Sequence, residues 1–304
     1  GTENFISLMI GLKILLFPAV LSFLLSFFIT KGMSSNRTKL LTVLSILCLL
    51  IVYLGFFELL KATLIGFLVY YIYVKFIKHD LSILGLFISL LLVIQTFILL
   101  ALIVSPQYAL YLLYGASLFS MWRIIQSGGP ARYASTISQT FRVDASGVSH
   151  YFYDLWFLLF VFLLATYPQH HWDAVHANLY IARQYFEENS FRPLVEALSS
   201  LFPQNGVSYF SFFYGIGGFP LLSISYIIPL VTSLYVIRKL VKPRLLAYVL
   251  ILTPSFIFQG SNAYYDGIVT ACLLGGIYIL YTSENVHLIF YSIFLFGFAT
   301  ASKF

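Results

Sequence analysis

Apolar residues in this chain fall into long runs separated by short polar connections. The runs lie near residues 5–30, 40–60, 62–76, 81–104, 107–122, 151–167, 207–236, 245–258, 267–281 and 286–302. A vertical membrane crossing takes about twenty residues of helix, so the pattern predicts an all-α polytopic membrane protein of about ten transmembrane helices. The third, fifth, eighth and ninth runs are short enough to be tilted or re-entrant. The first has neither a basic leader nor a small-residue cleavage site, and is read as a retained membrane helix rather than a signal peptide.

The basic residues test this threading, because Lys and Arg should collect in alternate, cytoplasmic connections. Lys31, Arg37 and Lys39 follow the first run, Lys75 and Lys78 the third, Arg123, Arg132 and Arg142 the fifth, and Arg238, Lys239, Lys242 and Arg244 the seventh. These twelve of the 17 Lys and Arg residues share one side. The amino terminus, the segment 168–205, the segment 259–266 and Lys303 then share the other, outer side. Polar, Gly-containing residues 127–150 read as a cytoplasmic linker between an amino-terminal bundle (1–126) and a second membrane module (151–304).

Composition agrees. The 304 residues are 60% hydrophobic and 9% charged, far from the soluble balance of about a quarter charged, which excludes a disordered tail, a disulfide scaffold and an ordinary cytosolic enzyme. The formal charge of +6 is mostly a topology signal, so nucleic acid is not an expected partner. Cys48 and Cys272 lie in apolar runs without metal-ligand spacing.

Candidate chemistry concentrates in the outer segment YPQHHWDAVHANLYIARQYFEENSFRPLVEALSSLFPQNG. Nothing breaks a helix from Ala174 to Asn189, and Asp173 suits its N-cap. At about 100° per residue, Val175, Leu179, Ala182 and Phe186 fall on one side. Asp173, His176, Tyr180, Arg183 and Glu187 fall on the other. An amphipathic helix along the membrane surface is expected, its apolar face on lipid or on the spans and its polar stripe facing water. Ordinary roles compete at each position: Asp173 as a cap, His176 as an interfacial residue, Arg183 with Glu187 as an i,i+4 ion pair. His170 and His171 precede Trp172, where an aromatic, His-rich boundary is as well explained by the interface as by metal. Asp266, in GSNAYYDGIVTACLLGG, enters a span from an outer connection, so it should face protein or water, or cap the helix that follows. Lys303 follows FGFATAS and has snorkelling as its plain role. Glu58 and Lys61, three apart, are expected to pair or reach the interface.

The order of these features, WDAVHANLYIARQYFEENSFRP after one span, a return span, a basic turn, YYD between two spans, then FGFATASKF, resembles the GT-C superfamily of polyprenol-phosphate-dependent glycosyltransferases, of the protein O-mannosyltransferase and aminoarabinose-transferase type. The resemblance covers about residues 151–304, and implies a GT-C-like fold with an outer juxtamembrane helix. Such enzymes continue through further spans, so 151–304 is expected to be an incomplete module. The resemblance implies transfer of a sugar, with inversion, from a polyprenyl-phosphate-linked donor to a lipid, glycan or protein acceptor on the extracytoplasmic face; a bacterial cytoplasmic membrane is the expected location, and an endoplasmic-reticulum enzyme would present the same topology. It implies Asp173 as general base, Asp266 as acceptor-orienting acid, Lys303 and Arg183 on the leaving phosphate, and His176 and Tyr180 in support. Ala174 stands where many relatives carry a second acid, which leaves open whether a divalent ion (Mg²⁺, Mn²⁺ or Ca²⁺) is held by Asp173, Asp266 and His171. Alternatives from other classes are a transporter or flippase for an ion or anionic lipid, and a noncatalytic scaffold.

Overall fold

The computed structural model of the chain describes residue 50 and residues 53–77, 81–127, 148–165, 179–191, 205–241, 244–251 and 265–303. Every regular element among the described residues is a helix: α1 (Phe56–Ile72), continued by a π-helical turn (Tyr73–Ile77), α2 (Ser82–Ile103), α3 (Pro106–Gln126), α4 (Val148–Ala165), α5 (Tyr180–Glu187), α6 (Asn205–Ser225), α7 (Ile227–Leu240), α8 (Arg244–Ile251), α9 (Asp266–Thr282) and α10 (Val286–Lys303). The chain divides into two compact units that interleave: Gly1–Tyr53 with Val143–Pro168, and Leu54–Arg142 with Gln169–Phe304. The sequence instead suggests a serial division around 127–150, a stretch of which only residues 127 and 148–150 are described.

In the first unit, α4 buries Phe157, Phe160, Val161, Leu164 and Ala165, the three-and-four spacing of a single helical face. Phe162 meets Tyr53 edge to face, with ring centroids 6.1 Å apart.

In the second unit three helices are long and apolar enough to cross a membrane, Phe56–Ile77, Ser82–Ile103 and Asn205–Ser225, with shorter apolar helices at Trp156–Ala165 (in the first unit), Asp266–Thr282 and Val286–Ser302. About ten crossings were expected, so the described residues carry the helical class and a smaller set of candidate spans. In the sequence, Glu58 and Lys61 cut short the run beginning at 62. The helix starts earlier, at Phe56, just after Gly55 at φ 89°. Glu58 and Lys61 pair on its first turns at 3.9 Å, as expected.

The run 207–236 does not form one straight helix. Inside α6, Gly217 (φ −150°, ψ 25°) and Gly218 (φ 62°, ψ −159°) leave helical geometry, and the Gly218 conformation is one that only glycine adopts without strain. Residues 209 and 225 would stand about 24 Å apart in a straight helix. Instead the Tyr209 hydroxyl donates to the Ser225 carbonyl at 2.9 Å, and the Phe210 and Tyr226 rings meet at 5.6 Å. The chain therefore reverses at Gly217–Gly218. Although Asn205–Ser225 qualifies as a span by length and composition, its axis is that of a hairpin.

α2 packs against α1, α3, α6 and α7, with Leu84, Ile88, Leu91, Ile94 and Phe97 fully buried. Only Val104 and Ser105 separate α2 from α3, and the two helices pack against one another. Phe97 near its end stacks on Phe186 of α5 (6.1 Å), meets Phe191 edge to face (5.6 Å) and leans on Phe212 of α6 (5.3 Å). Such ring pairs contribute about 0.5–1.5 kcal/mol each beyond the area they bury, so one side chain ties α5 and α6 to α2. At the opposite end the Tyr291 hydroxyl donates to the Phe76 carbonyl, and Tyr235 of α7 lies near Ser82. Lys75, Arg238 and Lys239 belong to helix ends at this second end. α3 turns outward a stripe of exposed Tyr108, Tyr111, Leu112, Phe119 and Trp122.

Candidate functional site

α9 and α10 form an antiparallel pair whose register can be read from side chains. Ser292 Oγ donates to the Gly276 carbonyl at 2.9 Å. A side chain at Gly275 would lie 2.7 Å from Leu84 and 3.2 Å from Leu295, and one at Gly276 2.7 Å from Phe296, so these small residues let the helices close on one another and on α2. Counting the same distance away from the Gly276–Ser292 contact, back along α9 and forward along α10, reaches Asp266 and Ser302, about 15 Å on. Lys303 is the next residue. The fold thus brings Asp266 and the backbone of Lys303, 37 positions apart in sequence, to one end of one hairpin.

Asp266 is the first residue of α9 and is partly exposed. It is not the cap, which falls on Tyr265, and no side chain caps that helix start. An acid in the first turn still complements the positive end of the helix dipole. The start of α6 lies alongside: a side chain at Gly206 would come within 2.6 Å of Tyr265 Cβ. Asn205 Nδ2 faces Gln95 Oε1 at 3.4 Å, and Gln95 is eight residues short of the end of α2. Two helix starts, Asp266 and two amides therefore meet about 12 Å inside the end of α2. The sequence reading missed Gln95 and Asn205. Their signal was present, as single amides in or beside apolar stretches that must find partners away from lipid.

The segment 168–205 is described from Leu179 to Phe191 and at Asn205. Asp173, His176 and His171, with His170, lie outside the described residues, so the first half of the expected amphipathic helix does too. The second half has the expected faces. Leu179, Ile181, Ala182, Tyr185 and Phe186 are buried, Arg183 and Glu187 exposed, and Tyr180 intermediate. The apolar face rests on helices: Phe186 packs on Phe97 and Tyr214, and its ring occupies the space that a methyl at Gly215 would need. Arg183 Nε donates to Glu187 Oε1 at 2.5 Å, the i,i+4 pair named as its plain role. That hydrogen bond, then the Glu187 charge, raises the guanidinium pKa further. Burial pushes the Tyr185 hydroxyl up to about 12.

α5 ends in a Schellman turn: Ser190 N–H donates to the Tyr185 carbonyl (3.0 Å), Asn189 N–H to the Phe186 carbonyl (3.2 Å), and Asn189 takes the left-handed φ of 52° that this turn requires. The turn docks on the start of α3. Gln107 N–H donates to Asn189 Oδ1 at 3.1 Å, and Gln107 Nε2 to the Phe186 carbonyl at 3.3 Å. Among the described residues no three His, Cys, Asp or Glu side chains gather as a metal site; two of the three candidate ligands, Asp173 and His171, are outside that set. No protein-family model matches the chain, and no curated protein or solved structure does either.

Proposed function

We propose that the protein is an inverting membrane glycosyltransferase that moves a sugar from a polyprenyl-phosphate-linked donor to an acceptor on the extracytoplasmic face. The observation that carries this reading is the register of α9 and α10, which sets Asp266 level with the end of α10 at Lys303, beside the start of α6. A departing phosphate needs positive charge and oriented N–H donors, for which Lys303 and the helix starts are suited. An attacking hydroxyl needs a carboxylate to take its proton. In this reading Asp173 is the base, Asp266 orients the acceptor or shares a divalent ion with Asp173 and His171, Arg183 assists at the phosphate, and His176 and Tyr180 support the base. The chain then makes about ten crossings of a bacterial cytoplasmic membrane, with Lys75, Arg123, Arg238 and Lys239 at the cytoplasmic end.

The test is reconstituted protein incubated with a radiolabelled polyprenyl-phosphate sugar. Covalent product that falls about a hundredfold in Asp173→Asn supports the reading, and unchanged transfer by that variant removes its base. If an ion takes part, chelation lowers activity and added Mg²⁺, Mn²⁺ or Ca²⁺ restores it.

One observation favours the transporter reading. α6 is a broken helix whose start lies inside the end of α2, beside Asp266 and two amides, and half-helix starts near polar groups are how many transporters hold anionic cargo. Uptake of labelled lipid without covalent product would select it.

A further inference from the structure

A cavity of about 520 Å³ opens between the last turn of α2 and the end of α5, lined by Ala101–Ser105 and Glu188–Phe191. Its volume suits one or two sugar rings, within the range of small-molecule sites. Ser105 is its most informative residue. As the N-cap of α3 its hydroxyl would ordinarily accept a backbone N–H from the first turn, but it makes no cap bond. Asn189 does that work instead, taking the Gln107 N–H from across the chain. Ser105 is left 8% exposed, with an Oγ that has no hydrogen-bond partner among the described residues. A buried hydroxyl without a partner is destabilising, and a ligand at this cavity would relieve that.

The chemistry around it selects the ligand. The end of α2 brings backbone carbonyls that helix geometry leaves without intrahelical donors. Glu188 adds a carboxylate, and Ser190 a second hydroxyl. Among the described residues no Lys or Arg lines the cavity. Among these residues acceptors and one negative charge predominate, which favours a donor-rich ligand and opposes a phosphate. We infer that this cavity binds a neutral carbohydrate through its hydroxyl groups, and so recognises the acceptor glycan rather than the phosphorylated donor. The inference rests on the glycosyltransferase reading for its role in a reaction, while binding itself does not require that reading.

The experiment uses the full chain in detergent, without any lipid donor, on arrays of neutral oligosaccharides and of phosphorylated or sialylated ones. At least one neutral glycan should be retained. Glu188→Gln and Ser105→Val should each weaken that retention about tenfold while leaving the chain monodisperse and helical. Glu188 is exposed, so its variant tests the cavity even if Ser105→Val fails to fold. No retention of any neutral glycan, equal retention by Glu188→Gln, or preference for the anionic set would overturn the inference. Retention by a protein that transfers no sugar would sink the enzyme reading alone.

Discussion

The hydroxyl of Tyr209 donates to the backbone carbonyl of Ser225 at 2.9 Å, and the reason lies four residues further on. Residue 229 is proline, which has no N–H to give the carbonyl at i−4. Ser225, at the junction of α6 and α7, would therefore carry an orphaned acceptor, and both Tyr209 and Ser225 are almost wholly inaccessible. The hairpin turn at Gly217–Gly218 brings the missing donor from the other arm. A sequence-local defect and a tertiary reversal explain one another.

Replacing Tyr209 by Phe should lower stability by about 1–3 kcal/mol, the cost of an unpaired buried polar group. In a Pro229→Ala background the introduced alanine supplies its own N–H, and Tyr209→Phe should cost measurably less. Thermal unfolding in detergent across the four proteins measures the coupling. Strict additivity would show that the Tyr209 bond does not answer the proline.

Asn189 serves twice, adopting a left-handed backbone at the end of α5 and capping the start of α3. Asn189→Gly keeps the backbone at ease and loses only the cap; Asn189→Ala loses both. Cap removal costs about 0.5–2 kcal/mol, so Gly should destabilise by that amount and Ala by more. Equal losses, measured by thermal unfolding in detergent, would mean that the turn conformation adds nothing.

What the sequence revealed and what it hid differ for a physical reason. Apolar runs report how much chain is buried or lipid-facing, and they located α2, α4, α9 and α10 to within a few residues. They carry no sign of direction, so 207–236 read as one span although Gly217, Gly218 and Pro220 sit in its middle. The stripe of Arg183 and Glu187 opposite Ala182 and Phe186 was legible because helix periodicity is local. The level meeting of Asp266 with Lys303 was suggested only by sidedness, and the proximity of Gln95, Asn205 and Tyr265 depends on tertiary packing that periodicity does not encode.

Tyr185 gives a pH dependence of known sign. Its pKa is about 12 in the folded chain against about 10 when unfolded. Below pH 10 both states keep the proton and the hydroxyl contributes no slope. Above it the unfolded chain ionises first, so stability falls as pH rises, by up to about 1.4 kcal/mol per pH unit until the folded form also ionises. Between about pH 10 and 12, Tyr185→Phe should lose stability less steeply than the wild type in chemical denaturation. Identical slopes would show that Tyr185 is not protected in the fold.

The register of α9 and α10 makes a prediction independent of any activity. If Gly276 and Ser292 are level, then cysteines replacing Asp266 and Lys303 lie on adjoining helices at one end, where helix axes are about 8–10 Å apart. A short bis-maleimide should join Asp266→Cys to Lys303→Cys within the folded chain. It should not join Asp266→Cys to Val286→Cys, which sits at the other end of α10, about 25 Å away along the axis. Crosslinking of the second pair but not the first would reverse the alignment and remove the shared location of the acid and the lysine. Crosslinking of the first pair, with Asp266→Asn and Lys303→Gln each reducing sugar transfer while the protein still inserts into membranes, is the outcome the glycosyltransferase reading requires. In that reading Asp266 orients the acceptor and Lys303 neutralises the departing phosphate of one reacting pair, so removing either should slow transfer about a hundredfold or more.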